Sequence, residues 1–180
     1  RPRRFGKTIA TNMVCAYYSK GCDSRELFKD LKISKAENYE EYLNKLNFIK
    51  IDIASEYQNA KNKDGLLNKL NDRVKREFVA QFSQIDFSIC ETMADCILEV
   101  FSATNEQFVI ILDEYDCLVR DEFGTDLFAD YLKFLNGLFK SDTLRPAIAL
   151  AYITGILPVV RDRVQSKLNN FREYTVLNAL

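Results

Sequence analysis

The sequence contains no histidine. That excludes a Ser-His-Asp triad, a Cys-His dyad and every histidine-based zinc site within the chain. Cysteine is present, but not in a pattern that signals chemistry. The five residues, Cys15, Cys22, Cys90, Cys96 and Cys117, are odd in number and form no C-x-x-C pair. A disulfide framework is not expected from them, and a thiol-only metal site would need them clustered. Their spacing points instead to a reducing, cytoplasmic setting. Glycine and proline are scarce, six and three in 180 residues, and no linker, repeat or low-complexity segment is visible. No apolar run approaches the ~20 residues of a membrane-spanning helix, and there is no signal-peptide pattern. A net charge of −1 provides no global field to attract nucleic acid or an anionic membrane.

What is present is the composition of a globular protein, 47% hydrophobic and 28% charged. The length suits a single domain over residues 1–180 with a sizeable core. Ile9, Met13, Val14, Tyr17 and Tyr18 recur at helical spacing, and Gly21 stands where a helix would stop, which predicts a helix over 7–19. Residues 24–31 read as a short helix, and 38–46 as another or as an irregular connection. "FIKIDIA" (48–54) is a strand candidate. Residues 65–82 and 89–103 each carry an apolar helical face, the second including Ile89, Met93, Cys96, Ile97, Val100 and Phe101. "FVIIL" (108–112) has the unbroken apolar character of a strand buried on both faces, "FADYLKFLNGLF" (128–139) is amphipathic helix, and "AIALAYITGIL" (147–157) is a second apolar run. Strands alternating with helices predict an α/β fold with a mostly parallel sheet flanked by helices in three layers.

Two stretches carry chemistry. The chain opens R-P-R-R-F-G-K-T, and Gly6-Lys7-Thr8 is the closing triplet of the phosphate-binding loop G-x-x-x-x-G-K-[ST]. Where that loop should begin with glycine stands Arg1, and the strand expected before the loop is missing. Alone, the triplet is too short to decide between a loop and a basic tail. The second stretch is "FVIILDEYD", an apolar strand running directly into Asp113 and Glu114. Ligands bind at the carboxyl ends of the strands in open α/β sheets. In P-loop NTPases the loop Lys holds the β/γ-phosphates while the loop Ser/Thr and a strand-end Asp hold Mg²⁺. A neighbouring acid can orient and deprotonate the attacking water. The plainer reading of "DEYD" is a solvated turn, and it is the pairing with Gly6-Lys7-Thr8 that favours the functional one. Thr154, ending the second apolar run, is either a γ-phosphate sensor or an ordinary Thr-Gly strand end.

Other residues carry weaker claims. Arg3 and Arg4 either contact phosphate, supplying donors a full glycine-rich loop would provide, or form a solvated terminus. Arg120, Arg145, Arg161 and Arg163 are candidate arginine fingers, each more simply a surface charge. Tyr17, Tyr18, Phe28, Tyr39, Tyr42 and Phe48 read as core packing, because a base-stacking platform needs a basic groove. Cys117 reads as a small apolar filler.

"RPRRFGKT", "FVIILDEYD" and "ITGILPVVRDRVQSKLNNFREYTVL" together resemble the bacterial AAA-ATPase-like family, in the same order and over residues 1 to about 178. In many members of that family this domain precedes a PD-(D/E)XK-type nuclease domain. The resemblance implies that the missing first glycine is a family trait. It implies phosphate binding by Gly6, Lys7 and Thr8, with Mg²⁺ held by Thr8 and Asp113, and Arg4 and Phe5, which directly precede the triplet, are expected to complete the phosphate-binding set. Catalysis would fall to Glu114, Lys7 and Thr154. It further implies Mg-ATP hydrolysis that regulates or powers an attached or partner domain such as the nuclease. The alternative is an ATP-binding switch, scaffold or interaction module with little or no turnover. No membrane association and no direct nucleic-acid binding are expected of this chain, and an oligomer is compatible with it.

Overall fold

A computed structural model describes residues 6–156 together with Phe171, Arg172 and Tyr174. Its strands are β1 (Asn47–Asp52), β2 (Phe108–Asp113) and β3 (Ile148–Ile153), all parallel, with β2 in the centre. All six residues of β2 are buried, as expected of a run with no polar face. β1 alternates instead, with Asn47, Ile49 and Ile51 buried and Asp52 exposed, because it lies at the edge of the described sheet.

The helices are α1 (Lys7–Tyr18), α2 (Arg25–Phe28), α3 (Tyr39–Tyr42), α4 (Ile53–Asn59), α5 (Leu66–Gln81), α6 (Met93–Thr104), α7 (Cys117–Asp121) and α8 (Asp126–Phe139). Leu66, Leu70, Val74 and Phe78 form the predicted buried face of α5. They join Ile97 and Val100 of α6, Tyr131 and Leu135 of α8, and Phe108, Ile110 and Leu112 of β2 in one core. Phe78 stacks on Phe108 at 5.5 Å between ring centres and meets Phe87 edge-on at 5.8 Å. On the other face of the sheet α1 lies against β1 and β2, tied by Lys50 Nζ donating to Asn12 Oδ1 at 2.6 Å. The result is a parallel sheet flanked by helices, the α/β arrangement expected of a P-loop fold.

Of the aromatic set near the start of the chain, Tyr17, Tyr18, Phe28, Tyr39 and Tyr42 pack together, as expected. Tyr17, Phe28, Tyr39 and Leu43 make a second core, with Tyr18 and Tyr42 against it. The Tyr17 hydroxyl donates to the Tyr39 carbonyl at 2.8 Å, satisfying the one polar atom this ring buries.

Several boundaries differ from the sequence reading. The strand read over 48–54 ends at Asp52, whose carboxylate accepts the Ser55 amide at 3.0 Å and caps α4. The helix read from residue 89 starts at Met93, because Thr92 and Asp95 form a reciprocal capping box. Ile89 therefore lies outside the helix and is 80% exposed. On α1 the expected apolar face is split: Thr11 and Tyr17 are buried while Ile9 and Met13 are exposed. Thr11 tolerates burial because its hydroxyl donates to the Thr8 carbonyl at 2.9 Å. All five cysteines are free. Burial pushes the Cys96 thiol up to about 12. Among the described residues no helix is long and apolar enough to cross a membrane.

Ile110 sits in the middle of β2 with 0% exposure. Ile110→Ala should cost about 2–5 kcal/mol of unfolding free energy, the range for buried large-to-small changes, read as a lower urea midpoint at unchanged slope.

Candidate functional site

Parallel pairing fixes where the chemistry lies. Asp52 pairs with Asp113, and Leu112 with Ile153, so all three strands end at one edge. The ladder runs one step further: the Thr154 amide donates to the Leu112 carbonyl and the Tyr115 amide to the Thr154 carbonyl, both at 2.9 Å. This sets Thr154 beside Asp113. The Thr154 hydroxyl donates to Asp113 Oδ1, and the Glu114 amide donates to the same oxygen at 3.1 Å. Asp113 is only 5% exposed, and these two donors offset the cost of burying its side chain. Its Oδ2 accepts no hydrogen bond from the described residues.

Glu114 follows with φ +51°, in the left-handed region. For a residue with a Cβ this conformation costs on the order of 1–2 kcal/mol, and such strain concentrates at functional sites. The turn sends its carboxylate to Lys7. Lys7 Nζ lies 2.7 Å from Glu114 Oε1, with the two side chains 9% and 28% exposed. The ammonium nitrogen is buried and forms no well-directed hydrogen bond among the described residues beyond this ion pair.

Gly6 caps α1 with φ +72°, a conformation glycine adopts without penalty. Among the described residues no side chain caps this helix, and no acid lies in its first turn. Its first amides and the positive end of its dipole are thus open to an anion. Between these groups is a cavity of about 860 Å³, walled by Gly6, Lys7, Thr8, Glu114, Gln58 of α4 and Arg120 of α7. Cys117 lies on the same wall, its thiol pushed up by burial and then by Asp121, so it is a packed filler as read from the sequence.

The donor set suits Mg²⁺. Among the described residues no three carboxylates, cysteines or histidines converge as an all-protein cage. Mg²⁺ instead uses one or two protein ligands, several waters and substrate phosphates. The Thr8 hydroxyl and Asp113 Oδ2 are of the right kind. Arg4 and Phe5, expected in the phosphate-binding set, lie outside the described residues, as do Arg1, Arg3, Arg161 and Arg163. Of "LNNFREY", Phe171 packs edge-on against Phe139 of α8, with ring centres 5.1 Å apart.

Two supporting residues escaped the sequence reading. Asp116, the last acid of "DEYD", is fully buried, and its Oδ2 accepts the Ile156 amide at 3.1 Å. Gly155, read only as a strand stop, lies directly against it. A Cβ there would sit 2.6 Å from Asp116 Oδ1 and 2.8 Å from Tyr115 Cε1. The carboxylate turn and the tip of β3 are thus fitted together without room for a methyl group. Gly155→Ala should lower stability by about 1–3 kcal/mol, as overpacking does, and this is measurable by urea denaturation.

The AAA-ATPase-like family, described as predicted AAA-ATPase, matches residues 1–165. No curated protein and no solved structure matches the chain. The chain belongs to the AAA-ATPase-like family, and with that membership comes a general ATPase-like function that uses a nucleotide and Mg²⁺.

Proposed function

We propose that the domain binds Mg-ATP in the cavity between the start of α1 and the carboxyl edge of the sheet, and hydrolyses it. The observation that carries this reading is the half-buried Lys7–Glu114 pair at 2.7 Å. It brings Lys7 and the acid after β2 into contact on the lining of one cavity, which supports their acting on one ligand. The α1 amides and Lys7 bind the β- and γ-phosphates, where helix dipole and ammonium act together. Thr8 and Asp113 hold Mg²⁺, which when bound neutralises charge on the phosphate oxygens.

Glu114 orients a water in line with the γ-phosphate and takes its proton. Thr154 keeps the Asp113 carboxylate directed through the hydroxyl contact already described. Arg4 and Phe5 complete the phosphate-binding set in this reading. The cycle regulates or powers an attached or partner domain, with a PD-(D/E)XK-type nuclease as the expected one, in a cytoplasmic setting.

In the free protein Lys7 neutralises Glu114, so ATP must displace the carboxylate from the ammonium before the acid can serve as base. Removing the carboxylate charge therefore frees Lys7 for phosphate. Glu114→Gln should bind Mg-ATP at least as tightly as wild type while phosphate release falls by roughly 10²–10⁴-fold, the worth of a positioned general base. Lys7→Ala should lose the ATP-induced rise in melting temperature. In wild type, ligand at a hundred times its Kd stabilises by about 2.7 kcal/mol. Unchanged phosphate release in both variants would overturn hydrolysis at this site. A full thermal shift without turnover in wild type would instead assign a nucleotide-binding switch.

A further inference from the structure

A second cavity, of about 340 Å³, opens between α5, the start of α6 and α8, and it shares no lining residue with the cavity at the sheet edge. Leu67 of α5, Met93 of α6, and Phe134 and Leu138 of α8 form its apolar wall. An apolar cavity of about 150 Å³ holds one benzene ring, so this one has room for a two-ring body.

Two features of the wall have no explanation within the fold. Gly137 stands in the last turn of α8, although glycine is the poorest helix former after proline. Its φ is not positive, and a Cβ placed on it would meet nothing within 4 Å. Neither backbone nor packing requires a glycine there, and its missing side chain leaves the cavity open over the helix backbone. The second feature is Asn71 of α5. Its Oδ1 accepts the Met93 amide at 3.0 Å, which ties α5 to the start of α6. Its own amide hydrogens donate to no acceptor among the described residues, so what Asn71 offers the cavity is a donor. Thr92 is closed off by contrast, its hydroxyl donating to Asp95 and accepting the Asp95 amide.

The rim limits the charge of an occupant. Lys133 and Asp130 pair with each other at 2.7 Å, and Asp64 adds a negative charge, so an anion would meet like charge. A cation would meet the positive, donor end of Asn71. Beside Asp64 the rim is braced. Tyr57 of α4 donates its hydroxyl to Glu122, the residue that ends α7, and Lys63 Nζ reaches the same carboxylate at 2.8 Å.

We propose that this cavity binds a small uncharged molecule with a compact two-ring apolar body and one hydrogen-bond acceptor. The body lies against Gly137 and Phe134, and the acceptor meets the Asn71 amide. Small-molecule sites are built this way, from a mostly apolar wall and a few placed polar groups. The inference stands apart from the nucleotide reading, because the two cavities have no residue in common.

The test is an NMR titration of the ¹⁵N-labelled full chain with indanone, a neutral two-ring ketone, and with indane, the same body without the acceptor. Indanone should shift the Gly137 backbone amide and the Asn71 side-chain amide saturably, with a Kd of about 1 mM or tighter for its roughly ten heavy atoms. Indane should bind about fivefold more weakly, the worth of one hydrogen bond. Asn71→Asp keeps an oxygen for the Met93 amide, removes the donors and should abolish the advantage of indanone. Gly137→Leu fills the space over α8 and should weaken both probes at least about tenfold. Melting temperatures report folding, and Gly137→Ala, which should melt no earlier than wild type and bind both probes more weakly, makes the comparison if the leucine variant unfolds. No saturable shift at these two residues, an unchanged preference in Asn71→Asp, or full affinity in the Gly137 variants overturns the site. If neither probe binds while Gly137→Leu changes elution from a sizing column, the cavity is a contact between protein chains and the proposal falls.

Discussion

The structure depends on one strand being paired on both sides. β2 has its backbone bonded to β1 and β3 and all its side chains buried, so it cannot slide or turn over without burying unpaired amides or exposing leucine and isoleucine. Register along β2 therefore fixes the height of Asp113, Glu114 and Thr154 at the sheet edge. The carboxylates, Lys7 and the cavity they line are all referenced to that edge.

The edge in turn concentrates features that are individually unfavourable. Glu114 adopts a left-handed backbone, Lys7 is buried with imperfectly directed donors, and Arg120 has an Nε without an acceptor among the described residues. Each would destabilise an ordinary surface. Together they line one cavity with cationic donors and a carboxylate. Stability comes from elsewhere: the Phe78–Phe108 core, the capped α6 and the brace between α4 and α7 hold the walls without help from a ligand.

Long, strongly patterned elements are legible in the sequence. α5 and α8 bury the residues their helical period selects, β2 behaves as its unbroken apolar run requires, and Gly6-Lys7-Thr8 does open a helix. The short elements are not legible. α4 and α7 span seven and five residues, fewer than two turns of useful period, and α4 begins on two apolar residues that read equally well as strand. Asp116 and Arg120 carry no local signal either. One looks like a solvated turn acid and the other like any surface arginine, and only the packing of Gly155 and the cavity wall distinguishes them.

By itself the sequence determined the class of fold, the identity of the buried strand and the two motifs worth joining, because hydrophobic period and residue type are local properties. Tertiary structure decided that the motifs meet. Lys7 and Glu114 are separated by more than a hundred residues of chain, and their 2.7 Å contact exists because β2 and α1 pack across the sheet. It also decided how each acid is held. Asp113 is held by Thr154, Glu114 is turned out to Lys7 and Asp116 is locked against Gly155. Three carboxylates within four residues have the same intrinsic chemistry, and only the neighbours that the fold brings to each one separate them.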